Sequence, residues 1–249
     1  MNPAEYDNLE ATERDHWYYV GKREVVRRWL ERSIRLGPQQ TLLDCGAGTG
    51  FFAQELAGTC RVLVLDDHEE SLRRLRLRFS DEQVLKVSAA GIPLPAASVD
   101  ALTALDVLEH IEHDDAAARD MARVVRPGGV AVVTVPAGMA LWSDWDVGLH
   151  HYRRYNRKQL RALFPETAWE IVYVNYTNVL VYPVVWLARK WRTLRPAAPT
   201  SGSNGARAED RIPPRWLNTF MRKIFVGMAQ WRVPFPFGVS LLLVARRRA

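Results

Sequence analysis

Thr41-Leu42-Leu43-Asp44-Cys45-Gly46-Ala47-Gly48-Thr49-Gly50 is a short apolar run that breaks into glycines at alternate positions. A buried strand ending in such a turn lets the backbone reverse sharply and approach a ligand without side chains in the way. Phe51–Ala57 continues at helical spacing. Arg61-Val62-Leu63-Val64-Leu65-Asp66 is a second buried strand, and its closing acid lies 22 residues beyond Asp44. A carboxylate at that place can accept hydrogen bonds from both hydroxyls of a ribose. The turn departs from the dinucleotide pattern G-x-G-x-x-G, because the third glycine position is Phe51 and a glycine arrives one residue early, at Gly50. This disfavours a nicotinamide dinucleotide, whose pyrophosphate needs the close helix approach that the third glycine permits.

Working outward, Val25, Val26, Trp29, Leu30 and Ile34 predict a helix over 23–36, ended by Gly37-Pro38. A charged helix follows over 68–79 with Leu72, Leu75 and Phe79 inward, then strands over 83–87 and 99–105. A helix over 115–125 is stopped by Arg126-Pro127-Gly128-Gly129, and 130–136 is a β-branched strand of the buried parallel kind. Further strands are expected over 169–176 and 239–245. The alternation predicts an α/β chain with a Rossmann-like, doubly wound, mostly parallel sheet. Such sheets take ligands outside the carboxyl ends of their strands. That directs attention to Asp44–Gly50, Asp66, Ser88, Leu105–His110 and Pro136 onward. The expected organisation is an N-terminal helical lid (1–38), the core (39–177), an aromatic and basic insertion (178–238) with a Pro/Gly/Ser-rich linker at 195–210, and a last strand with a basic tail (239–249).

The chain has 249 residues, 48% hydrophobic and 25% charged, enough for one α/β domain and an appendage. Its two cysteines suggest neither a disulfide framework nor a cysteine metal cluster. Cys45 reads as a small core residue. The opening stretch is polar and acidic, unlike a secretory signal, and the longest apolar run is shorter than a membrane span, so a cytoplasmic location is expected. The net charge of +6 is unevenly spread: residues 189–249 hold 13 Lys+Arg and 2 Asp+Glu, whereas 1–188 hold 21 and 26. A basic tail on an acidic body suits an anionic partner, such as a membrane surface, or simply a solvated face.

With these residues in view, the chain resembles the class I S-adenosylmethionine (SAM)-dependent methyltransferases, specifically the bacterial small-molecule group related to ubiquinone-pathway and natural-product enzymes. The resemblance covers about residues 16–177 and returns at the last strand. Leu42–Gly50 is similar to the family's first motif, Asp66 to its ribose-binding acid, and Gly91–Leu102, Val107–His113 and Ala122–Pro136 to the segments that follow. It implies a seven-stranded sheet with an antiparallel last strand, and SAM as cofactor. It also implies that Asp44, Gly46, Ala47 and Gly48 line the methionine part, Asp66 and Asp67 meet the ribose, and Leu105 sits near the transferring methyl. Family members commonly carry an Asp for the adenine amino group where this chain has Ser88, which leaves adenine to Ser88, Ala89 and the backbone. His16–Arg23 is similar to the group's N-terminal lid, in which Trp17 closes over the cofactor and Arg23 pairs with its carboxylate. The alternative is an aromatic helix packed on the sheet.

Trp142-Ser143-Asp144-Trp145-Asp146 and His151-Tyr152-Arg153-Arg154-Tyr155 resemble an acceptor-side segment found in a subset of these enzymes. His151, Asp146 or His110 is a candidate base for a hydroxyl or amine, and Trp142, Arg153, Arg154 and Tyr155 are candidates to hold the acceptor. A bracing role for Arg154 and Tyr155 against Asp146 is the alternative. A pattern related to Asp106-x-x-Glu109-His110, with Glu first, coordinates a divalent metal in some ubiquinone-pathway and RNA-end methyltransferases; Asp has the shorter reach, and no metal is expected here. Asp106-Val107-Leu108-Glu109 also lacks the tetrapeptide of base-methylating enzymes, so the expected acceptor is a small molecule rather than nucleic acid. The rival readings are a nucleic-acid methyltransferase and a non-catalytic SAM-binding protein. Trp186, Trp191, Trp216 and Trp231 with interleaved Arg and Lys suit an interfacial element. Residues 178–238 are thus read either as a lid for a hydrophobic or lipid-linked acceptor at the inner face of a membrane, or as a lid or dimer surface. Both monomer and homodimer fit the sequence.

Overall fold

The computed structural model describes residues 3–194 and 212–249, so most of the expected linker at 195–210 lies outside the described residues. A single seven-stranded sheet runs in the order β3 (Val84–Lys86), β2 (Arg61–Asp66), β1 (Thr41–Cys45), β4 (Val99–Leu105), β5 (Val125–Pro136), β7 (Ser240–Arg247), β6 (Trp169–Thr177). The first five are parallel neighbours, and β7 is antiparallel to both β5 and β6. The chain order reverses between β1 and β4, which puts a crevice at the carboxyl ends of those strands. Val130, Val132 and Val244 point to one buried layer and Ala131, Val133 and Leu243 to the other, the alternation of a sheet covered on both faces.

Helix α1 (Pro3–Asp15) lies within the expected helical lid, but no periodicity gave its bounds, because its polar sequence carries no apolar stripe. Helix α2 (Trp17–Ser33) begins six residues before the expected start and ends three residues before the expected stop. Its first turn is capped by the His16 ring, which accepts from the Tyr18 amide at 3.3 Å. Helix α3 (Phe51–Leu56) follows the glycine turn. Helix α4 (Glu69–Leu75) is shorter than expected: tight bonds from Leu77 to Arg74 and from Arg78 to Leu75 close it and turn Phe79 into the core beside Gly50. Helices α5 (Asp114–Val124), α6 (Asp144–Gly148) and α7 (Arg157–Ala162) complete the part that precedes β6.

Strand β6 ends at Thr177 opposite Ser240, the first residue of β7, and Ser240 pairs with Pro136 at the end of β5. The described parts of the insertion, 178–194 and 212–238, therefore leave and rejoin the sheet at its carboxyl edge, the edge that holds the crevice. Helix α9 (Arg215–Met228) runs alongside α2. Asn218 accepts from the Trp17 amide at 2.8 Å, the Phe225 ring fills the space left by Gly21, and Trp29 Nε1 reaches the Ala229 carbonyl at 3.1 Å. The apolar stripe expected on this helix is only partly inward: Phe225 is buried, but Trp216 is 73% exposed and Phe220 56%. Helix α8 (Tyr182–Leu194) is inverted in pattern. It exposes Val184 and Leu187 and buries Arg189. No described helix is long and apolar enough to cross a membrane.

Candidate active site

The turn after β1 holds Gly46, Gly48 and Gly50 at φ 65°, 56° and 81°. A Cβ at Gly46 would lie 2.4 Å from Val107 Cγ2, so the close approach of the two loops needs glycine there. The Gly46 and Ala47 amides both donate to the Leu65 carbonyl, at 2.7 and 3.1 Å, and this fastens the turn to the end of β2. One residue on, Asp66 accepts from the Gly48 amide at 3.0 Å and from the amides of Asp67 and His68 at 2.9 and 3.0 Å. The half-buried carboxylate is thus fixed at the crevice, while Asp67 is exposed. Asp44 is buried at the end of β1 and accepts from Thr103 Oγ1 at 2.6 Å. Burial pushes its carboxyl up to about 7; the Thr103 hydrogen bond works the other way, and nearby Asp66 and Glu13 add to the rise. Ser88 and Ala89 are exposed in the turn after β3, where the Ser88 hydroxyl accepts from the Ala90 amide at 3.2 Å. Leu105, half-buried, closes β4.

Two lid residues have other partners than expected. Arg23 donates to Glu55 and to the Glu13 carbonyl, both at 2.7 Å, and Trp17 is packed edge-on to Phe225. Here the aromatic-helix alternative describes Trp17 better, and Arg23 ties α2 to α1 and α3. The neighbouring Lys22 is the cation at the crevice, 2.9 Å from Asp106, whose carboxylate also accepts from Thr134 at 2.9 Å. Burial alone would raise the Asp106 carboxyl; the Lys22 charge and hydrogen bond hold it below the usual carboxylate range. The sequence reading also missed the contacts of α1, which crosses this region. Glu13 accepts from Thr49 Oγ1 in the glycine turn, Asp7 and Glu10 hold Arg74 at 2.6 and 2.9 Å, and the Tyr6 ring rests 5.5 Å from His68. Acids at 7, 10 and 13, one helical turn apart, facing the basic run 73–78 were the available signal.

On the acceptor side, the chain after β5 folds into a loop around Asp146, which has no exposed surface. Its Oδ1 meets His151 Nδ1 at 3.0 Å and accepts from Arg154 Nε at 2.7 Å; its Oδ2 accepts from the Ser143 amide at 3.0 Å and lies 3.4 Å from Arg189 Nη1. Burial by itself raises this carboxyl, but the His151 hydrogen bond and the charges of Arg154 and Arg189 hold it below its ordinary value. A carboxylate so surrounded is a weak base, which speaks against the expectation that Asp146 removes the acceptor proton; its Oδ1 is instead engaged by the His151 ring. The expected acceptor-holding arginines are also committed. Arg153 donates to the Ile111 and Glu112 carbonyls and pairs with Asp114 at 2.8 Å; Arg154 is buried on Asp146 and the Ala137 carbonyl. Tyr155 is buried with its hydroxyl on Asp114 at 2.7 Å. Bracing is their role here, with Tyr155 braced on Asp114 rather than Asp146, because a loop hung from a sheet edge must satisfy its buried polar groups internally. Trp142 is half-buried beside this loop.

His110 closes a short turn after β4, and its ring lies 4.6 Å from that of His151. Burial, then the neighbouring His151, lowers the His110 imidazole to about 4. Glu109 beside it is 1% exposed, and neither carboxylate oxygen has a hydrogen-bond partner among the described residues. Burial drives this carboxyl well above the usual range, with Asp106 adding to the rise. Ligand atoms of Glu109, His110 and His151 fall within 4.8 Å of one another, a set with donors that suit a divalent cation. Asp106, first in the sequence pattern, is instead paired with Lys22.

Residues 43–133, from within β1 to within β5, match the methyltransferase domain family. A Mycolicibacterium smegmatis protein named a probable S-adenosylmethionine-dependent methyltransferase is 29% identical over 157 residues, which cover 62% of this chain and 60% of that protein. The chain thus spans less than two thirds of the length of that relative. Among solved structures, an S-adenosylmethionine-dependent methyltransferase from Mesorhizobium loti superposes with a TM-score of 0.55 at 16% identity, covering 88% of this chain and 96% of that one. Haemonchus contortus phosphoethanolamine N-methyltransferase 2, solved in complex with S-adenosyl-L-methionine, gives 0.57 at 17% identity, covering 90% and 52%. The glycine turn and the matched residues 43–133 agree in marking a methyltransferase domain from β1 to β5, and the strand order with its reversed β7 is the fold shared with the solved SAM-dependent methyltransferases.

Proposed function

We propose that the protein transfers a methyl group from SAM to an oxygen or nitrogen of a hydrophobic or lipid-linked small molecule, reached at an anionic membrane surface. The cofactor reading is supported by the crevice itself. Asp44 is a buried acid suited to a cationic amino-acid end, and Asp66, held at the crevice by the Gly48 amide, would suit a ribose. Asp44, Gly46, Ala47 and Gly48 would hold the methionine part, Asp66 and Asp67 the ribose, Ser88 and Ala89 the adenine, with Leu105 beneath the methyl. When bound, SAM supplies a methyl already activated by its sulfonium. The chain's own work is then to position the acceptor in line and to take up its proton. His151 is the base of this reading: Asp146 engages Nδ1, which leaves Nε2 for the acceptor, and the neutral His110 ring lines the approach.

The observation that carries the acceptor class is the insertion at the crevice edge. Its described parts, 178–194 and 212–238, contain seven Lys and Arg and no Asp or Glu. They also expose Leu180, Val184, Leu187, Trp216, Trp231 and Val233, each by more than half. Apolar and aromatic side chains interleaved with cations suit an anionic interface, where a hydrophobic acceptor would be at hand. Calorimetry with SAM and S-adenosylhomocysteine tests the cofactor: binding is expected, and about 100-fold weaker binding in Asp66→Ala, the loss of two charge-assisted hydrogen bonds. Flotation with vesicles of phosphatidylglycerol and phosphatidylcholine tests the surface. Capture by the mixed vesicles but not by pure phosphatidylcholine is expected; no capture by either ends the membrane part and leaves the cofactor part standing.

A further inference from the structure

Amphipathic helices at a protein surface turn apolar residues inward and charges outward. Helix α8 departs from this: Val184 and Leu187 face out, and the residue that it buries is the charged one that reaches the acceptor loop. Arg189 Nη1 donates to the Leu141 carbonyl, in the turn directly after β5, and lies 3.4 Å from Asp146 Oδ2. Arg189 is the only buried residue of α8 among those whose side chains are described. Among the described side chains of α8, this guanidinium is the group that reaches the polar atoms of the loop. Burying that group is unfavourable unless it is paired, so its position is tied to Asp146 and Leu141.

The same carboxylate orients the base. Asp146 has two oxygens and about four acceptor sites. Oδ1 serves His151 and Arg154, and Oδ2 serves Ser143 and Arg189. The four partners come from three places: the start of α6, the strand-like segment 151–155, and α8. Three of them, Ser143, His151 and Arg154, are local to the loop. Arg189 alone comes from the insertion, 43 residues away along the chain. Loss of that partner leaves one side of a buried carboxylate under-satisfied, and the group re-aims toward whatever donor or water can reach it.

We propose that Arg189 makes the acceptor-side base conditional on the seat of α8: only while the helix is docked on the loop does Asp146 hold the His151 ring with Nε2 free for the acceptor. Arg189 is thus a positioning residue, acting through Asp146 and touching neither cofactor nor acceptor. The insertion is more than a cover over the crevice. It supplies part of the machinery, so an enzyme with its insertion lifted lacks an oriented base. This rests on the reading of His151 as the base. The test does not need the acceptor to be known.

The experiment is a histidine nitrogen NMR spectrum of the full chain, assigned with His151→Gln, together with amide hydrogen exchange over 180–191. The wild type is expected to show His151 as a single species, with Nδ1 carrying the hydrogen shared with Asp146. Arg189→Met, which keeps the aliphatic stem, is expected to exchange about ten-fold faster in α8 and to show His151 as a mixture of tautomers. Arg189→Lys keeps the charge but reaches one acceptor rather than two, and is expected to fall between; it is the variant to read should Arg189→Met fail to fold. A wild-type histidine spectrum in the variant overturns the proposal whatever α8 does. A changed spectrum with α8 exchange unaltered also overturns it, since the helix seat would then play no part. Failure of the cofactor reading is separate, because it would show as no SAM binding by the wild type.

Discussion

The sheet and helix α8 solve opposite problems. Val130, Val132 and Val244 in the sheet are buried completely, as any chain must bury its aliphatic side chains to be stable by itself. In α8 the aliphatic residues face out, Val184 at 67% and Leu187 at 60% exposure, and an arginine faces in. A sheet layer stabilises the fold whatever surrounds the protein. An inverted helix contributes little apolar burial of its own, and its outer face gains free energy only when something apolar covers it. The difference separates residues whose place folding explains from residues whose exposure folding leaves unexplained.

Putting one substitution in both places is the strongest way to break this contrast. Val132→Asp inserts a charge into the middle of the sheet and is expected to cost more than ~4 kcal/mol, enough to leave no folded protein. Leu187→Asp is expected to change stability by less than about 0.5 kcal/mol, because the position is solvated before and after. It is also expected to reduce capture by anionic vesicles by about ten-fold, since an apolar contact is lost and a repelling charge gained. Thermal unfolding and flotation measure the two. A large loss of stability in Leu187→Asp would mean that the outer face of α8 is packed against something in the protein itself.

Glu109 sharpens the contrast from the other direction, as a buried charge-bearing group without the partners that Asp146 has. Burial raises its carboxyl well above the ordinary value. In the unfolded chain it ionises from near pH 4.5 upward, while in the fold it resists. Its contribution therefore turns unfavourable as pH climbs above the unfolded value. Glu109→Gln removes the ionisable group at nearly the same volume, and is expected to equal the wild type near pH 4 and to exceed it by about 1–3 kcal/mol at pH 8. Chemical denaturation at the two pH values checks this. A wild type that is the more stable at pH 8 would show that a cation neutralises Glu109, and the imidazoles of His110 and His151 would be its nearest companions.

The parts of the molecule that answer to folding are the ones that could be read directly. The strands at 41–45, 61–66 and 99–105 stand within a residue of their expected bounds, because buried parallel strands and glycine turns carry local signals; 169–177 does so as an antiparallel edge strand, through its aromatic and β-branched residues. The crevice residues Asp44, Gly46, Gly48 and Asp66 are brought together as expected, since strand order alone puts consecutive carboxyl ends side by side. What was not legible depends on contacts far apart in sequence. Arg154 could be read as a ligand for the acceptor or as a brace, and only the approach of Asp146 decides; Arg189 carries no signal at all until α8 is seen against the turn at 139–141. The bounds of helix α1 escaped because ion pairs with Arg74 and Arg78, rather than an apolar stripe, hold it in place.

The smallest effect tests whether the crevice and the insertion respond to pH as differently as their charges suggest. Burial brings the Asp44 carboxyl to about 7 in the cofactor-free protein. A cationic amino-acid end beside it favours the ionised form, so binding must lower that value and release a proton wherever Asp44 was protonated. SAM affinity is therefore expected to climb by up to roughly ten-fold between pH 6 and 8 and to level off above, with proton release greatest near pH 6. Calorimetry in buffers of different ionisation enthalpy measures both quantities, and Asp44→Asn should bind more weakly and lose the pH dependence. The insertion's cations are Arg and Lys, which keep their charge throughout this range, so vesicle capture should stay constant over the same interval. Affinity for SAM that is flat or falls with rising pH would place the cofactor's positive end away from Asp44. Vesicle capture that tracks Asp44 would mean that the two regions, alike in nothing else, share one titration.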